Sequence, residues 1–177
     1  MKDYVLLSGV GPDKPGIARA ISGAAFCAGC SIEDSRMAVL GGEFAILVLI
    51  EGGRIDLAKL SDSLPELEKE TGLTLAIRPT AARGATKVKS GVPYGLSVVG
   101  MDRTGIVFRI TELLARYGVN IENLETEASN APGTGTPLFR MGLEAEIPGD
   151  VPVRKLRAEL ADLCDELNMD FTLEALG

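Results

Sequence analysis

Gly11-Pro12-Asp13-Lys14-Pro15-Gly16-Ile17 and Gly100-Met101-Asp102-Arg103-Thr104-Gly105-Ile106 are two versions of one pattern, set 89 positions apart. The frame that joins them runs outward in both directions without a gap. Leu7-Ser8 falls on Leu96-Ser97, Ile21 on Ile110, Gly29 on Gly118, and Ile32-Glu33 on Ile121-Glu122. Shared glycines, an aspartate and apolar positions in one ungapped register mark a tandem duplication. Whatever fold the first half adopts, the second is expected to repeat.

Reading outward from the repeat, each half gives strand, helix, strand, strand, helix, strand. In the first half, 4–10 is a β-type run ended by Gly11-Pro12. Pro15 suits the first turn of a helix, and Ile17, Ile21, Ala24 and Ala25 carry a 3.6-residue period until Gly29 stops it. Segments 36–40 and 43–51 form a hairpin across Gly41-Gly42. Leu57, Leu60, Leu64 and Leu67 stripe a second helix that Pro65 is expected to break or offset, and 73–78 closes the unit. In the second half, 96–99 is the first strand and Ile106, Ile110, Leu113, Leu114 and Tyr117 mark the helix. Segments 124–128 and 138–147 are the hairpin. Asp150 is read as the cap and Pro152 as the opening of a helix striped by Val153, Leu156, Leu160, Leu163 and Leu167, before a last strand at 169–176.

This βαββαβ order, twice over, predicts an α+β fold: two ferredoxin-like units in tandem, each an antiparallel sheet with its helices on one face. The expected organisation is a first domain at 1–79, a small, polar and mildly basic linker at 80–92, and a second domain at 93–177.

Composition narrows the chemistry. The chain has 18 basic and 25 acidic residues, a net charge of −7, and no histidine. The charge argues against direct nucleic-acid binding, which rests on lysine and arginine. Without histidine there is no His-centred triad, His base or His metal ligand. No G-x-G-x-x-G or phosphate-binding loop is present, because Lys14 and Ile17 stand where those motifs need other residues. The chain is therefore read as a non-enzyme with no cofactor and no metal. Cys27, Cys30 and Cys164 make an odd set without a disulfide framework. Cys27 and Cys30 have C-x-x-C spacing, but at the C-terminal end of a helix, where the dipole raises a thiol pKa. Packing is favoured there over redox or zinc chemistry. The longest apolar run, 44–50, is too short to span a membrane, and the N-terminus lacks a signal core, so a cytoplasmic soluble protein is expected.

The duplicated loop is the candidate site. A helix start exposes unpaired N–H groups with a partial positive charge, suited to a small carboxylate. Asp13 or Asp102 beside it could accept an ammonium, making a receptor for an amino-acid zwitterion. Equally, each aspartate could simply cap its helix. The hairpin loop at 130–137, rich in Gly and Pro, reads either as a contact loop or as a tolerated insertion.

The pattern of strand, G-x-D-x-x-G-I, helix and G-x-x-I-E resembles the ACT domain, a small ligand-sensing module, and both halves carry it. In the second half, Gly135-Thr136-Pro137-Leu138-Phe139, the strand to Ile147-Pro148 and the leucine-striped helix are similar to the glycine cleavage system transcriptional repressor family, which consists of two such domains. The resemblance implies binding of a small amino acid, of glycine or serine type, where two sheets meet edge to edge, and hence a homo-oligomer such as a dimer. It assigns the polar contacts to Asp13 and Ser31 in the first half and to Asp102 and Asn120 in the second. Gly11 and Gly100 supply backbone space there, and the helix-start reading sets the ligand carboxylate on the N–H groups near Gly16 and Gly105, so all four glycines count among the expected ligand-binding residues. It also implies action by contact with a protein partner such as a transcription activator. The alternative is a regulatory subunit or module of an amino-acid biosynthetic enzyme.

Overall fold

The computed structural model describes residues 2–82, 91–132 and 134–176. The chain divides into two compact units, Met1–Thr86 and Lys87–Gly177. In the first unit the elements are β1 (Asp3–Pro12), α1 (Ile17–Ala28), β2 (Ser31–Leu40), β3 (Glu43–Gly52), α2 (Arg54–Thr71) and β4 (Thr74–Thr80). The second unit has β5 (Gly91–Met101), α3 (Ile106–Arg116), β6 (Asn120–Asn130), β7 (Pro137–Pro148), α4 (Val153–Leu167) and β8 (Met169–Ala175). Each unit is α+β in the ferredoxin-like arrangement. Sheet order is β2-β3-β1-β4 in one and β6-β7-β5-β8 in the other, with every neighbouring pair antiparallel.

Each core lies between the sheet and its two helices. In the first unit Leu7, Ile46, Val48 and Ile50 meet Ile17, Ile21, Leu57 and Leu60. In the second, Val98, Met141, Leu143 and Ile147 meet Ile106, Ile110, Leu156 and Leu160. Burying one such side chain stabilises by about 1.5–3 kcal/mol, which is why the leucine and isoleucine stripes decide the fold ahead of local propensity.

Local expectations fail where tertiary structure outweighs them. α2 is continuous through Pro65. Pro65 and Ser61 are both solvent-exposed, so water can serve the Ser61 carbonyl that loses its donor. Pro15 lies ahead of α1, which starts after Gly16, rather than in its first turn. Asp150 does not cap α4; the flanking residue is Pro152, without a side-chain cap. β2 and β6 start five and four residues earlier than the expected segments at 36 and 124. A bulge between Ile32 and Asp34, and its twin between Ile121 and Asn123, breaks the alternation that would have revealed these starts. The Gly41-Gly42 turn is as expected, with φ of 61° and 88°, a combination that favours glycine at both positions. β4 continues to Thr80 and β5 begins at Gly91, both inside the stretch read as linker; 83–90 falls outside the described residues. Among the described residues, no helix is long and apolar enough to cross a membrane.

Candidate functional site

The two helix-start loops are built alike. Gly16 flanks α1 with φ 96° and Gly105 flanks α3 with φ 95°, a left-handed backbone that glycine adopts without strain. A Cβ at either would meet nothing within 4 Å, so conformation rather than crowding requires glycine there. Neither helix has a side-chain cap. That removes the capping role for Asp13 and Asp102, because each lies three residues ahead of its flanking glycine and cannot reach the first-turn N–H groups as a cap does. Both aspartates are exposed, and among the described residues neither carboxylate has a partner. Their backbones are held: Asp13 N–H donates to the Gly42 carbonyl and Asp102 N–H to the Pro137 carbonyl, each at 3.1 Å. Loop and hairpin turn are thus fastened together at one end of each sheet.

Gly11 and Gly100 serve the chain's own packing. A Cβ on Gly11 would lie 2.7 Å from the Gly72 carbonyl oxygen and 3.0 Å from Leu73 Cα. On Gly100 it would lie 2.8 Å from the Asn168 carbonyl oxygen and 3.1 Å from Met169 Cα. In both units the strand that leads into the loop passes against the residues that open the last strand.

Ser31 and Asn120 occupy the opposite end of the sheet. Ser31 pairs with Glu51, which pairs with Tyr4 of β1. Asp13 follows the far end of β1, nine residues on, or about 30 Å along an extended strand. Asn120 pairs with Glu146, which pairs with Pro93, again nine residues before Asp102. Within one unit, therefore, the aspartate and its expected polar companion do not converge. Beside Ser31, the Lys2 ammonium lies 2.7 Å from the Glu51 carboxylate and holds its pKa below the usual value, so that end already carries an ion pair.

The other candidates resolve more simply. Cys30 packs against the first core, and burial followed by the nearby Asp56 charge raises its pKa. Cys27 is exposed instead of packed, which corrects that part of the expectation; both thiols are free. Cys164 is buried and pushed up to about 11. Among the described residues no cluster of metal-ligating side chains is present. The loop between β6 and β7 closes on itself. Ala131 N–H donates to the Thr136 carbonyl at 2.8 Å, and Gly135 N–H to the Ala131 carbonyl at 3.0 Å. Its exit, Pro137, is the residue that anchors Asp102, a link between loop and candidate site that sequence spacing did not reveal.

Comparison with known proteins bears on the whole chain. The ACT domain family matches residues 3–78 and again 94–163. The glycine cleavage system transcriptional repressor of Escherichia coli K12 is 27% identical over 174 residues, covering 98% of this chain and 90% of that protein. A crystal structure of an unknown protein from Galdieria sulphuraria superposes with a TM-score of 0.83 at 31% identity, over the full length of both chains. The crystal structure of a putative glycine cleavage system transcriptional repressor shares the fold, with a TM-score of 0.73 at 23% identity over 99% of this chain and 98% of that one.

Proposed function

This chain belongs to the ACT-domain family, as two such domains in tandem, and from that premise we propose a non-catalytic regulatory protein that senses a small amino acid of glycine or serine type. The observation that carries this reading is the duplicated loop: an exposed carboxylate without a described partner, beside a helix start that no side chain caps. The ligand carboxylate takes the first-turn N–H groups after Gly16 or Gly105, and its ammonium faces Asp13 or Asp102. Because Ser31 and Asn120 lie at the far end of their own sheets, their contribution comes from a second copy. Two β2 edges joined antiparallel bring the start of one strand to the end of the other, where the Asp13 loop is fastened. β6 has the same geometry for Asn120 and Asp102.

The output is protein–protein contact, with a transcription activator as the partner class. Full-length similarity to a transcriptional repressor supports that class, and the net charge of −7 supports contact with protein rather than DNA. The absence of histidine from the sequence supports a non-catalytic role. Isothermal titration of glycine and serine into the wild type, Asp13→Asn and Asp102→Asn tests the reading. Binding to the wild type that weakens by roughly 1.5–3 kcal/mol in a variant upholds it, since that is the scale of a charge-assisted hydrogen bond. Equal binding in all three proteins would refute the aspartate's role.

A further inference from the structure

Each unit carries a groove between its two helices, and the duplication matches the two grooves position by position. α1 falls on α3 in the frame of the repeat. α2 falls on α4 with Leu60 on Leu156, both fully buried, and the flanking Gly72 on Asn168. In the second unit ion pairs span the groove: Arg109 of α3 donates to Glu166 of α4 at 2.5 Å, and Arg116 lies 3.7 Å from Glu159. About 210 Å³ stays open there. In the first unit the spanning side chains are gone. Ala20 stands where Arg109 does and Cys27 where Arg116 does, while Gly23 replaces Glu112 and Ser63 replaces Glu159. The opening grows to about 350 Å³. Close helix packing does not account for Gly23, because a Cβ there would meet nothing within 4 Å and alanine is the better helix former. Two carboxylates nevertheless remain, Glu70 matching Glu166 and Glu66 matching Asp162. Among the described residues neither has a partner, and Arg19 at the rim pairs with neither. The floor between them is apolar, formed by Ala24 and the buried Leu67, and Phe26, 82% exposed, extends it along α1.

We propose that this groove of the first unit receives an arginine side chain from a basic helix of a protein partner. The second unit shows the chemistry within the same chain. Its Arg109 fills the position that Ala20 leaves short, and pairs with the carboxylate that Glu70 repeats. The partner's arginine lays its aliphatic stem on Ala24 and Leu67 and sets its head on Glu66 and Glu70. Those carboxylates are four residues apart on one helix, about 5–6 Å between Cβ atoms, a span that the fork of a guanidinium bridges and a compact ammonium does not. An acidic segment would meet like charge in the groove, and a wholly apolar helix would cover both carboxylates without pairing them.

The proposal rests on the protein-contact part of the proposed function and is independent of amino-acid sensing. Fluorescence anisotropy tests it, using the full-length chain and a labelled alanine-based helical peptide with arginines one turn apart. Lysine and glutamine twins of the peptide are the controls. No amino acid and no activator is present, so failure here and failure of the glycine and serine titrations are read separately. The expected dissociation constant for the arginine peptide is below about 1 mM, with the lysine twin weaker by about threefold or more. Glu66→Gln with Glu70→Gln weakens binding by about fivefold or more, the scale of an exposed charge pair. Glu112→Gln with Asp162→Asn removes the same charge from the second unit's groove and changes binding by less than about twofold. Ala20→Arg rebuilds the ion pair of the second unit and blocks the peptide, with circular dichroism confirming that each variant folds. No binding at about 1 mM overturns the proposal. So does an equal loss from the two double variants, which marks unspecific attraction to an acidic protein. Equal affinity for the lysine or glutamine twin, or undiminished binding to Ala20→Arg, overturns it as well.

Discussion

Replacing Gly100 by alanine tests whether the loop glycines serve the chain's own packing. The new Cβ would stand 2.4 Å from the Met169 sulfur, which can swing aside on a flexible side chain. It would also stand 2.8 Å from the Asn168 carbonyl oxygen and 3.1 Å from Met169 Cα, which are backbone atoms and cannot. Asn168 is itself held at φ 52°, and Gly100 pairs directly with Met169 in the β5–β8 ladder, so relief requires the start of β8 to move away from β5. Overpacking of this kind costs about 1–3 kcal/mol. Two controls separate crowding from conformation. Gly105→Ala meets open space but forces a left-handed alanine, at about 1–2 kcal/mol. Gly142→Ala, on an extended strand with nothing within 4 Å, changes stability by less than about 0.5 kcal/mol. Urea denaturation followed by circular dichroism measures all three. If Gly100→Ala is as stable as Gly142→Ala, the close approach of strand and turn is not what holds glycine at this position.

Asp13→Asn and Asp102→Asn each change unfolding free energy by less than about 0.5 kcal/mol in urea melts, because neither side chain caps a helix. A loss near 1 kcal/mol would reinstate capping. Pro65→Ala raises the stability of the first unit by about 1–2 kcal/mol in the same assay, since an N–H is regained inside α2 on an exposed turn. An unchanged or lower stability would show that Pro65 contributes something the helix geometry does not reveal. Alkylation of the native protein labels exposed Cys27 first, Cys30 slowly and buried Cys164 only on unfolding; early modification of Cys164, read by mass spectrometry, would contradict its burial. The Cys164 thiol is raised by burial, so its share of stability is complete below the unfolded thiol value near 9 and is lost as pH climbs to about 11. Wild type should therefore lose about 2–3 kcal/mol relative to Cys164→Val across that interval.

The duplicated frame and the apolar stripes made the two βαββαβ units legible, because burial of Leu7, Ile21, Leu60 and their counterparts dominates the energetics. What stayed hidden has physical causes. The bulges before Asp34 and Asn123 scramble the period-two signal at the starts of β2 and β6. Pro65 misleads because a helix anchored by Leu57, Leu60 and Leu67 tolerates a lost hydrogen bond on its wet side. The glycine pairs of the loops were visible as a pattern, yet Gly16 and Gly105 answer to backbone conformation while Gly11 and Gly100 answer to crowding, and one letter conceals the difference. The separation of Asp13 from Ser31 follows from topology: β1 and β2 run the same way, so the end of one lies far from the start of the other.

A thermal-shift and calorimetric panel of the amino acids on the wild-type protein tests the sensing claim most directly, because a ligand that binds the folded state raises its apparent stability. The account predicts that glycine or serine raises the melting temperature and gives saturable heat at millimolar concentration or below. Large apolar amino acids should do neither. No shift and no heat with any amino acid at about 10 mM, a concentration that would reveal even weak binding, would contradict it.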